Sequence, residues 1–152
     1  MLLVLVRVLS IVAVALYLVP TGAHLFELAG KLAMSPTDYM ATQRIYSGWA
    51  LFGIVAVVAI LLTLAHAILR RRECCVFVLS LVAFVCLLAT IVVFAVFTYP
   101  MNVASRNWTV MPEQFEAARR QWEYSHATSA LLTFVALIAL TTAIATDTRH
   151  RR

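Results

Sequence analysis

The sequence predicts an all-α fold, a four-transmembrane-helix bundle running up-down-up-down, and three observations carry that prediction. The chain of 152 residues is 63% hydrophobic and 12% charged, where a soluble domain carries about 25% charged residues. The charge is also segregated, since residues 45–69, 74–105 and 124–146 hold none and residues 2–23 hold only Arg7. Each window supplies the roughly 20 mainly apolar residues that a bilayer-spanning helix needs. Short connections between the windows force neighbouring helices to run antiparallel.

The first helix is expected over about 2–32, with Pro20 inside it, removing one backbone bond and favouring a kink. It reads as a retained span rather than a signal peptide, because no basic cluster precedes Leu2 and no convincing small-x-small site ends the run before Pro20. The link "MSPTD" follows, in which Ser35 or Thr37 can cap the next helix beside Pro36. A second helix over about 37–70 ends in Arg70, Arg71 and Arg72, which suit a C-terminal dipole. The third is expected over about 74–99, stopping at Tyr99-Pro100, and the fourth over about 113–146 after Pro112. Residues 1–152 then form a single domain with no internal repeat.

The net charge of +5 does not point to nucleic acid. Arg7, Arg70–Arg72, Arg149, Arg151 and Arg152 all fall at one end of the bundle, against only Glu73 and Asp147. That bias predicts cytoplasmic termini and basic ends that touch anionic lipid. The expected partners are the lipid bilayer and a lipophilic small molecule, in the inner (plasma) membrane of a bacterium. Cys74, Cys75 and Cys86 read as buried or packing thiols, since a reducing cytosol disfavours a disulfide and no C-x-x-C is present.

At the opposite end each helix brings unusual polarity. The first carries His24, Glu27 and Lys31 at spacings that line one face. The second brings Tyr39, Gln43 and Tyr46; the third brings Thr98, Tyr99 and Asn102; the fourth brings Arg119, Trp122 and His126, with Glu123 adjacent. Ionisable residues at membrane depth usually face a cavity or one another, and the default reading is function. Trp49 and Trp108 are expected in an interfacial aromatic belt, Lys31 to snorkel, and Arg44, Arg106 and Arg120 to be solvated. His66 and His150 lie away from this cluster and are given no role.

Three chemistries suit the cluster. A histidine could act as general base, with Glu27 or Glu123 orienting the ring, and Trp122, Tyr46 and Tyr39 could wall in a flat aromatic substrate. His24, Glu27 and His126 could instead hold a metal, although three ligands without a second Glu-x-x-His make that pattern weak. A non-enzymatic binding or accessory protein is the third reading. A transporter fits least, because the other half of the bundle is nearly pure Leu, Val, Ala and Ile. No cofactor is specified by the residues.

The stretch "YPMNVASRNWTVMPEQFEAARRQWEYSHATSALLTFVALIAL" resembles the carboxy-terminal half of the anthrone-oxygenase-like membrane proteins. Pro100 and Asn102 match a Pro-x-Asn after the third span, and Arg120, Trp122 and His126 match an Arg-x-Trp followed by His. The first half, "AHLFELAGKLAMSPTDYMATQRIYSGW", resembles bacterial members less specifically. The resemblance implies oxidation of a lipophilic aromatic by molecular oxygen without metal or flavin. It makes His126 the base or its partner, with Trp122, Arg120 and Asn102 shaping the substrate site. Ser129 stands where many members carry an arginine.

Overall fold

The computed structural model describes residues 1–147; Arg149, His150, Arg151 and Arg152, the basic tail of the sequence reading, lie outside the described residues. The described residues contain six α-helices: α1 (Leu2–Ala33), α2 (Pro36–Thr42), α3 (Phe52–Leu69), α4 (Cys74–Val93), α5 (Tyr99–Ala104) and α6 (Phe115–Ala145). Four stretches are long and apolar enough to cross a membrane: Leu2–Ala33, Trp49–Leu69, Cys74–Ala104 and Phe115–Ala145. The chain is an integral membrane protein built as an all-α bundle. The helices close into a ring in which α1 packs on α3 and α6, and α4 packs on α3 and α6.

Burial is turned inside out relative to a soluble bundle. Leu5, Val8, Val12, Leu61, Val85, Leu131 and Phe134 face outward, while the centre is Ala13, Val14, Ala59, Ala83, Leu87, Ala136, Ala139 and Leu140. Lipid tails are as apolar as leucine, so small residues that let helices approach are what hold such a bundle together. Ser10, Thr63, His66 and Ser80 are also buried, with His66 Nδ1 2.9 Å from Ser80 Oγ. At the end where the chain starts, Arg7 and Arg70 both donate to Asp147, tying α1 and α3 to the residues just past α6. These two arginines are therefore buried partners of an aspartate, not solvated surface charges. Cys74 and Cys75 are exposed and Cys86 half-buried, so only the last packs as expected.

Two expected helices differ in detail. The second is interrupted: α2 gives way to 3-10 turns at Gln43–Tyr46 and Trp49–Leu51 before α3 begins. Gly48, at φ 87°, supplies the left-handed residue that reverses the backbone between them. The third does not stop at Pro100. A π turn over Phe94–Thr98 leads into α5, where Pro100 occupies the first turn and its missing N–H costs nothing. Ser35 is the cap of α2, accepting from the Asp38 N–H at 3.2 Å, with Pro36 opening the helix.

Candidate functional site

The end of the bundle opposite Met1 and Asp147 gathers the last turns of α1, all of α2 and the turns after it, α5, and the first turns of α6. Residues 24, 27 and 31 fall on one face of α1 because one helical turn takes 3.6 residues. Lys31 is the centre of the group. Its ammonium lies 3.3 Å from Glu27 Oε2, 3.2 Å from Glu123 Oε1 and 3.0 Å from His24 Nδ1. It also sits 4.7 Å over the Tyr46 ring and 5.2 Å over Trp122.

Lys31 is 2% exposed and Glu123 is fully buried. The snorkelling expected of Lys31 is thus corrected: a buried carboxylate from α6 and a part-buried one from its own helix offset the cost of keeping the charge inside. The ammonium has only donors, so His24 Nδ1 accepts, and the proton of a neutral ring then stands on Nε2.

The two histidines meet directly. The rings of His24 and His126 stack with centroids 4.1 Å apart and planes 27° from parallel. Trp122 stands edge-on to both, at 5.0 Å from His24 and 4.2 Å from His126, and Tyr46 lies 4.6 Å from His24. Trp49 also faces His24, at 5.6 Å, so one tryptophan expected in the belt contributes to the cluster. His24 is buried and His126 half-buried.

The remaining residues hold this group in place. Tyr39 donates to Glu123 Oε1 at 2.9 Å, and Tyr46 donates to Glu27. Burial pushes both phenols above their ordinary pKa; the Glu123 carboxylate adds to the shift at Tyr39 and the bond to Glu27 adds to it at Tyr46. Both stay protonated and donate. Trp122 Nε1 donates to Asn102 Oδ1 at 2.7 Å, joining α6 to α5.

Gln43 is buried with its amide beside the Tyr39 hydroxyl, and Glu123 Oε2 has no hydrogen-bond partner among the described residues. Arg120 is exposed, while its neighbour Arg119 turns inward. Arg119 donates to the Met34 carbonyl at 2.8 Å and to Glu116 at 2.6 Å, closing the end of α1.

Trp108 is buried as well, against the belt expectation. It packs edge-on to Tyr39 at 5.2 Å and to Trp122 at 5.7 Å. Three successive left-handed residues, Arg106, Asn107 and Trp108, deliver it there, and Ser105 Oγ accepts from the Trp108 N–H at 3.0 Å. Asn107 alone marks that turn in the sequence, since Asn tolerates positive φ while neither Arg nor Trp favours it.

The chain matches no family model, no curated protein and no solved structure.

Among the described residues, no group of three His, Cys, Asp or Glu side chains is placed to hold a metal. Glu27 turns to Tyr46 and Lys31 rather than to the histidines, and neither carboxylate orients an imidazole as the sequence suggested. Two of the surface hollows lie away from the histidines. One, of about 560 Å³, lies between Pro36 and the start of α6; the other, of about 260 Å³, lies in the turn after Leu69. Neither is lined by His24 or His126.

Proposed function

We propose that this integral membrane protein is an acid–base enzyme, an oxygenase that acts on a lipophilic phenolic aromatic without a protein-bound cofactor, as its resemblance to the anthrone-oxygenase-like family implies. One observation carries the reading: two imidazoles stacked at 4.1 Å beside a buried ammonium that bonds one of them. Ionisable groups at such depth are costly and default to function. The charge bias of the sequence supports an orientation with both termini cytoplasmic, and the resemblance to bacterial members supports a bacterial inner membrane.

In this reading His24 donates its Nε2–H to the substrate oxygen, and Lys31 favours the negative charge that develops there. His126 removes a proton from the CH2 carbon activated by that oxygen. The carbanion adds to O2, forming a C–O bond, and the peroxide takes the proton back from His126. Loss of water then breaks the O–O bond and removes the second C–H, leaving a ketone. One CH2 and one O2 become one C=O and one H2O. Trp122, Tyr46 and Tyr39 wall the flat substrate, while Gln43 and Asn102 flank it.

A second reading, a binding or accessory membrane protein, rests on a different observation: the rings of His24, His126 and Trp122 pack directly against one another. Oxygen uptake by purified protein with lipophilic phenolic ketones separates the two. Turnover that falls at least 100-fold in His126→Ala, a typical loss for a general base, supports the enzyme. Tight binding of such compounds with no uptake above the variant supports the accessory role.

A further inference from the structure

At the end of the bundle where Met1 and Asp147 lie, the chain turns from α3 to α4 through Arg70, Arg71, Arg72 and Glu73. The turn encloses the hollow of about 260 Å³, whose lining is Leu69 and those four residues. Arg70 is 7% exposed; one terminal nitrogen donates to Asp147, and its Nε–H has no partner. Arg71 and Arg72 are exposed, and Arg71 donates to the carbonyl of Ile68 at 3.2 Å. The hollow also borders the start of α4, a 20-residue helix whose N-cap residue, Glu73, makes no side-chain capping bond. Such a start leaves first-turn N–H groups without an intrahelical acceptor, with the positive end of the helix dipole behind them.

Three guanidinium groups, one of them paired with Asp147, therefore line a small polar space beside a helix N-terminus, with Glu73 as the carboxylate of its lining. Both ingredients select an anion. The depth selects its source: Leu69 ends one membrane-spanning helix and Cys74 begins the next, so the turn lies where the apolar slab gives way to headgroups. The geometry points to a binding site for the phosphate group of an anionic phospholipid, with the exposed Arg71 and Arg72 as its donors and the buried Arg70 as its wall. A zwitterionic lipid offers the same phosphate but carries an ammonium that three arginines repel. The site is independent of the chemistry at the other end of the bundle.

The test uses the purified full-length protein in detergent, titrated with short-chain phosphatidylglycerol, short-chain phosphatidylcholine and inorganic phosphate, with affinities read by native mass spectrometry. The variants are Arg71→Gln/Arg72→Gln, the charge-preserving Arg71→Lys/Arg72→Lys, and Arg44→Gln/Arg106→Gln, which removes two exposed charges from the opposite end. Phosphatidylglycerol is expected to bind the wild type, to bind the first variant roughly tenfold more weakly, and to bind the other two nearly as well as the wild type. Equal affinity for phosphatidylcholine, unchanged affinity in the glutamine variant, or an equal loss in the opposite-end variant overturns the site. Inorganic phosphate binding as tightly as phosphatidylglycerol overturns the lipid as its occupant.

Discussion

An ammonium group buried in the apolar part of a membrane protein must meet opposite charge, and Lys31 meets it twice, at Glu27 and at Glu123. Removing one member of such a group leaves the other charge uncompensated, at a cost of about 3–5 kcal/mol, whereas replacing both by apolar residues is often neutral. Lys31→Met is accordingly expected to destabilise strongly in denaturant unfolding, and Lys31→Met/Glu123→Leu to recover most of the loss. A double variant no better than the single one would show that the Lys31–Glu123 contact is not what holds these helices.

The phenols give a pH signature. A folded-state pKa raised above the unfolded value means the folded chain holds its protons longer, so stability is full below the ordinary tyrosine pKa of about 10 and falls as pH rises beyond it. Alkaline unfolding should become less steep in pH in Tyr39→Phe and Tyr46→Phe, where that linkage is removed.

Helical spacing makes the shared face of His24, Glu27 and Lys31 on α1 legible, while the pairing of Lys31 with Glu123, from a helix 92 residues later, is not. The choice between Arg119 and Arg120 was equally out of reach. Neighbours on a helix point about 100° apart, and only the position of α1 decides which turns inward.

At the level of elements, hydrophobic windows located all four spans, because a run without charge has few alternatives to the bilayer. The interruption of the second span was hidden. Its breaker, Gly48, sits in "YSGWAL", which reads as ordinary helix until the backbone is seen at φ 87°. Pro100 misled in the opposite sense. It reads as a stop, yet the π turn before it resets the hydrogen-bond pattern and the helix continues to Ala104.

The left-handed turn at Arg106, Asn107 and Trp108 has an energetic consequence, since such a conformation costs roughly 1–2 kcal/mol for a residue with a Cβ. Arg106 is exposed, with φ 49°. Arg106→Gly is therefore expected to raise stability by about 1 kcal/mol, read as a higher midpoint in thermal unfolding. A lower midpoint would mean that the Arg106 side chain contributes more than its backbone costs.

Across the whole molecule, polarity is concentrated at the two ends and divided by an alanine-rich middle. One end joins α1, α3 and the residues after α6 through Arg7, Arg70 and Asp147; the other joins α1, α2, α5 and α6 through Lys31, Glu123, Tyr39 and Trp122. Ion pairs at both ends fix how the helices are staggered, which a core of small apolar residues specifies poorly on its own. The histidine pair lies between these partners, bonded to Lys31 and packed against Trp122, and the functional reading rests on it.

The most direct measurement is nitrogen NMR of the protein labelled in its histidine rings, in bilayers, before and after addition of a lipophilic phenol. The expected spectrum has His24 neutral with its proton on Nε2, and the phenol moves the resonances of His126 while leaving His66 in place. A proton found on Nδ1 of His24, or a His126 that no phenol perturbs, would contradict an acid–base centre at this end of the bundle.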